Sequence, residues 1–201
     1  MARKENRKPR TVVFHHEPEA RTIEGLVGNA MGFADYWLRM EGEVPLTLVG
    51  VCPRGLFTHN VEHVPTEEDK EQFALESRLL LVATEAEACA VITEAWMTLL
   101  PGIKLPALRS SEPSGNIEVV TVAYESRAER TFLFFPIERT ALGVYAALGE
   151  NAAPEGMTAE GRFSNLLPPK PPTAPQIHSA ELALAKAGVR IAKLESDPKE
   201  N

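Results

Sequence analysis

Cysteine, histidine and aromatic residues are all scarce in this chain of 201 residues. The two cysteines, Cys52 and Cys89, sit far apart in apolar runs, so they offer neither a disulfide framework nor a zinc-type spacing. They read as buried thiols of a reducing compartment. No apolar run reaches the roughly 18 residues that a membrane-spanning helix needs, so no membrane partner is expected. The first residues are charged but have no apolar segment behind them, which argues against a secretory signal. A cytoplasmic location is therefore expected. The sequence also lacks a glycine-rich loop followed by lysine, a G-x-S-x-G turn and a D-x-D pair, so no cofactor is expected.

Hydrophobic residues make up 44% and charged residues 24%, the range of chains that bury a core. The formal charge of −7 is uneven. Arg3, Lys4, Arg7, Lys8 and Arg10 stand against Glu5 alone, so a basic arm (1–11) precedes a more acidic body. Such an arm can contact a phosphate backbone. The acidic body repels one, so nucleic acid is not the expected partner.

The periodicity predicts an α+β domain over 12–165, an antiparallel sheet of about five strands with helices packed on it. The expected order is helix, two strands, helix, three strands. A helix over 18–40 carries an apolar stripe through Ile23, Leu26, Val27, Ala30, Ala34, Trp37 and Leu38. It also carries Gly25, Gly28 and Gly32, each costing up to about 1 kcal/mol against alanine in a helix interior. Their spacing puts them on one side, where a second backbone could approach closely, across a dimer or against a sheet. Thr66 followed by Glu67, Glu68 and Asp69 reads as a capped helix start. The strands at 116–125 and 130–139 are apolar on both faces, which demands a layer on each side, from this chain or from another copy. The conformation of 140–165 stays open between strand and helix. Five prolines in 166–176 predict a semi-rigid polyproline spacer. A tethered amphipathic helix and tail over 177–201 follow, with Ala180, Leu184, Ala187, Ile191 and Leu194 as a heptad-like seam.

This element order resembles the roadblock and profilin-like sandwiches, which mostly serve as dimerisation and docking modules, and so implies a docking role. The run Thr93-Glu94-Ala95-Trp96-Met97, with Glu118-Val119-Val120 on the next strand, resembles a set of uncharacterised bacterial proteins that share an S/T-E-A-W-M strand. That likeness implies no activity.

Two groups of residues could carry chemistry. His59-Asn60-Val61-Glu62-His63 fits the H-x-x-E-H string of one zinc-protease class. On a helix, histidines four apart are separated by a rise of about 6 Å and can share a metal. In a strand they are roughly 13 Å apart and cannot. The β-branched Thr58, Val61 and Val64, with Gly55 before and Pro65 after, predict an edge strand. No metal is therefore assigned to His59 and His63 together. A looser site, one of them joined by His15 or His16, stays open. Glu94 lies between apolar neighbours, where a carboxyl of raised pKa could act as an acid or base, or could pair with Arg130 or Arg139.

The reading that joins these features is a non-enzymatic interaction or scaffold module, homodimeric or bound to another protein. It rests on the two-sided apolar strands, on Gly25, Gly28 and Gly32 and on the C-terminal seam of Leu184, Ala187, Ile191 and Leu194. The alternatives are a small hydrolase, metal-dependent or not, using Glu94 or His59 and His63, and nucleic-acid binding through the basic arm.

Overall fold

The alternating strands and amphipathic helices build a mixed α+β domain, seen in a computed structural model that describes residues 10–61, 66–98, 116–154, 157 and 160–192. The elements are β1 (Arg10–Val12), β2 (Phe14–His15), a 3-10 turn (Pro18–Arg21), α1 (Ile23–Met40), β3 (Leu46–Cys52) and β4 (Gly55–Val61). They continue with α2 (Glu67–Ala83), β5 (Ala88–Thr98), β6 (Asn116–Ser126), β7 (Arg130–Arg139), β8 (Tyr145–Leu148), α3 (Ala174–Lys186) and β9 (Val189–Ile191). Seven strands, not five, form one antiparallel sheet in the order β2-β4-β3-β5-β6-β7-β8. The two extra strands come from the short lead-in before the first helix and from the segment whose conformation the periodicity left open. β1 and β9 pair in parallel, tying the N-terminal part of the described chain to its C-terminal part.

Each helix start has a physical cause. α1 begins at Ile23, not at Pro18, because Thr22 takes an extended conformation and its hydroxyl accepts the Gly25 N–H. The same device starts α2, where the Thr66 hydroxyl accepts the Asp69 N–H. α1 then buries Leu26, Ala30, Ala34 and Leu38 against one sheet face, with Ala90, Ile92, Val120 and Val122 beneath them. Alanine at the middle of that stripe lets the helix lie close to the strands. Burial of this apolar area is the main favourable contribution to the fold.

The opposite sheet face is covered by α2, by α3 and by the stretch around Phe163, Leu166 and Leu167. The second layer demanded by the two-sided apolar strands is thus supplied by this chain itself. Farther along β5–β7, Ile117, Val119 and Phe134 are capped by Ala152, Ala153 and Met157.

The C-terminal helix is displaced from its expected span. Thr173 caps it through a box with Gln176, Pro175 sits in its first turn, and it ends at Lys186 before Gly188 at φ +78°. Ile191 is consequently a strand residue paired with Val12, and Ala187 is the cap. The heptad-like seam is broken at that turn. Ala180 and Leu184 are buried against this chain's own core, and Pro168 to Pro172 run beside Leu79 and Val82 of α2. Leu194 lies outside the described residues.

Close strand packing explains the glycine that opens β4 beside β2. Gly55 has φ +122°, and a Cβ there would meet the His15 carbonyl oxygen at 2.3 Å.

Candidate functional site

β4 presents His59 to the core beneath α2, on the same face as Phe57. The imidazole stacks on Phe73 with ring centroids 5.5 Å apart. Its Nε2 lies 3.1 Å from Oε2 of Glu76, a carboxylate that is 2% exposed. Arg10 Nη2 bonds both Glu76 oxygens at 2.8 and 2.7 Å, and Gln72 Nε2 donates to Oε1 at 2.9 Å. Burial alone would raise this carboxyl, but His59, Gln72 and the Arg10 charge outweigh burial and hold it at about 2. Glu76 is therefore ionised at neutral pH, and His59 Nε2 donates to it. The histidine of the HNVEH string is committed to a buried clasp between β1, β4 and α2. Its second histidine, His63, lies outside the described residues, as do Arg3, Lys4, Arg7 and Lys8 of the arm. Arg10, the last of the basic residues, is held by Glu76. His15 is exposed on the short β2 strand. Among the described residues, no group of three His, Cys, Asp or Glu side chains is placed to hold a metal ion.

Glu94 lies on the other sheet face, under the turn that follows α1. Its Oε2 accepts the Val44 N–H at 3.1 Å. It also touches Glu118, which forms a two-bond ion pair with Arg139 (Nε to Oε2, 2.7 Å, and Nη2 to Oε1). Arg139 Nη2 donates to the Gly42 carbonyl as well. Burial and then Glu118 push the Glu94 carboxyl up against the Val44 N–H, whereas Arg139 holds Glu118 down. Of the two carboxyls, Glu94 therefore keeps a proton more readily than an ordinary glutamate and Glu118 less readily. Of the two arginines expected beside Glu94, Arg139 is reached through Glu118, and Arg130 pairs with Glu125 instead. Nearby, Tyr145 donates to Asp35 Oδ1 at 2.5 Å, and Arg39 binds Asp35 and covers the Tyr145 ring. Burial raises the thiols of both Cys52 and Cys89, so neither is a ready nucleophile.

The glycine side of α1 faces away from the sheet. A Cβ at Gly28 or Gly32 would meet nothing within 4 Å. This side continues through Tyr36 (58% exposed) and Met40 (62%) toward the loop with Leu142 (91%) and Val144 (61%). The close approach to the sheet is made by the alanine stripe, and among the described residues nothing packs into the space over Gly28 and Gly32.

A cavity of about 310 Å³ lies on the α2 face of the sheet and was not anticipated. Its floor is Val91, Thr93, Thr121, Ala123 and Phe132, and its roof is the arch of residues 160–165. Thr93 and Thr121 are directly paired across β5 and β6. Each hydroxyl donates to a backbone carbonyl, Thr121 to Thr93 and Thr93 to Glu94, both at 3.2 Å. The arch is pinned at both ends. Arg162 bonds Glu67 at 2.6 Å, Arg78 donates to the Arg162 carbonyl at 3.0 Å, and Phe163 packs edge-on against Phe73. On the sheet side, Leu166 N–H donates to Glu125 Oε2 at 2.9 Å. The two threonines were legible as polar breaks in apolar strands, but only the register places them together.

No protein-family model, curated protein or solved structure matches the chain. The site must be read from its own geometry. Among the described residues, no helix is long and apolar enough to cross a membrane.

Proposed function

We propose that the protein is a non-enzymatic interaction module that pairs with a second copy of itself through the outer side of α1. The supporting observation is the open space over Gly28 and Gly32. Three glycines in one helix weaken it, and among the described residues nothing uses the room over Gly28 and Gly32. A second helix backbone uses it, because small residues at three- and four-residue spacing let two helices approach closely. In a twofold contact the same strip meets itself, so one helix suffices to make the interface. Tyr36 and Met40 extend the strip, and aromatic and methionine side chains are the types enriched at such contacts. The two other sequence features behind the docking reading are satisfied within the chain: the second sheet face is covered, and α3 packs on α2.

The test is a Gly28→Cys variant under mild oxidation. Both native thiols are buried, so a covalent dimer reports the new cysteine alone. Rapid formation of that dimer is expected, and its absence contradicts the proposal.

The enzymatic alternative draws on one observation, the Glu94 carboxyl raised by burial and by Glu118 beside it. An acid of that kind can donate a proton in a hydrolysis. Glu94 and His59 lie on opposite sheet faces, so the two cannot act on one substrate. Glu94→Gln abolishing a hydrolytic activity of the purified protein is the result that would favour this reading.

A further inference from the structure

The cavity beneath the 160–165 arch lies on the sheet face opposite α1, and its chemistry is independent of the pairing proposed above. We propose that it binds a small, mainly apolar molecule carrying a protonated nitrogen, of the arylalkylamine class. Three observations select that class.

The first is the balance of donors and acceptors. The Thr93 and Thr121 hydroxyls spend their protons on backbone carbonyls. What they turn to the cavity is oxygen lone pairs, which accept. Glu125, 5% exposed, adds a carboxylate at the inner wall. Its Oε2 takes the Leu166 N–H, while Oε1 is 3.4 Å from Arg130 Nε, looser than a strong charged hydrogen bond.

The second is charge. Of the lining arginines, Arg162 is neutralised from outside the cavity by Glu67 and Glu71, while Arg130 and Glu125 offset each other in charge and Glu125 stays an acceptor shared with the cavity. Glu160 at the rim is the charge left over, and it is negative. A cation entering here meets an excess of acceptors. An anion meets only arginines already paired.

The third is shape. Phe163 in the arch and Phe132 on the sheet give the cavity aromatic surface, and Ala123 and the two threonines keep the rest of the floor low. The pinned arch holds that space open without a ligand, and a volume of this size suits a small ring with a short chain.

The experiment is saturation-transfer NMR on the full chain with phenethylamine, and with phenylacetate as the anion of matching size. Transfer to phenethylamine is expected at millimolar concentration, at least tenfold stronger than to phenylacetate. Ala123→Leu fills the floor and should abolish it. Glu125→Gln keeps an acceptor for Leu166 N–H while removing the charge, and should remove the preference for the amine. No transfer to phenethylamine overturns the proposal. So does equal transfer to phenylacetate, or undiminished transfer in an Ala123→Leu protein with wild-type circular dichroism. If Ala123→Leu does not fold, Thr121→Val replaces it: a several-fold loss of transfer supports the assignment, and an unchanged signal overturns it.

Discussion

His59 and Glu76 meet in the core at 3.1 Å, with both side chains 2% exposed. A buried ion or charged hydrogen bond is stabilising only relative to its broken form. Arg10 reaches the same carboxylate, and its strand β1 pairs with β9, so this clasp fastens both ends of the described chain to α2. Removing the charge leaves Arg10 without its counter-ion and one amide oxygen to serve donors that now share two. Glu76→Gln is expected to destabilise the protein by about 3 kcal/mol. Urea denaturation at pH 7 checks it.

The same carboxyl sets an acid limit. Its folded pKa of about 2 lies below the ordinary value of 4.5. The stabilisation is complete above about pH 4.5 and is lost as pH falls toward 2. About 3 kcal/mol should disappear across that window. Denaturation midpoints at pH 6 and pH 3 should therefore separate widely in the wild type and much less in Glu76→Gln.

Glu94 and Glu118 should respond in opposite ways. Glu94 is raised, so its contribution is present at low pH and is lost as pH rises through its folded pKa. Glu94→Gln removes a carboxyl held near a like charge and should leave stability at pH 7 unchanged or slightly higher. Glu118→Gln leaves Arg139 without its carboxylate and should cost about 1–3 kcal/mol. Equal losses in the two variants would contradict this opposition between the two carboxyls.

The C-terminal helix should behave as core. Leu184 is 1% exposed in the cluster built by α2 and the sheet. Leu184→Ala should destabilise the fold by about 2–5 kcal/mol, measured by thermal or urea unfolding.

Gly28 and Gly32 should behave as no core residue does. Alanine at either meets open space in the chain, so each substitution should stabilise the helix by about 0.5–1 kcal/mol. A rise in thermal midpoint is the expected reading at dilute concentration.

The elements most visible in the sequence were those with a local cause. The Thr66 cap, the Leu26-Ala30-Ala34-Leu38 stripe and the 116–139 hairpin are each written in residues close together. What escaped depended on partners far along the chain. β2 and β8 are strands of two and four residues, held by β4 and β7 rather than by their own propensity. Ile191 left the helical seam because Gly188 ends the turn and β1 offers a backbone to pair with. His59 looked like an edge-strand residue, and a glutamate 17 positions away made it a core one. Thr93 and Thr121 became a cavity floor only through strand register.

The central claim, that α1 is a self-pairing surface, is tested most directly by sedimentation equilibrium of the wild type beside Gly32→Leu at micromolar concentration. Leucine at that position has room in the single chain and none in a close helix pair. The account predicts a dimeric wild type and a monomeric, folded Gly32→Leu. A monomeric wild type, or a variant that remains fully dimeric, would contradict it.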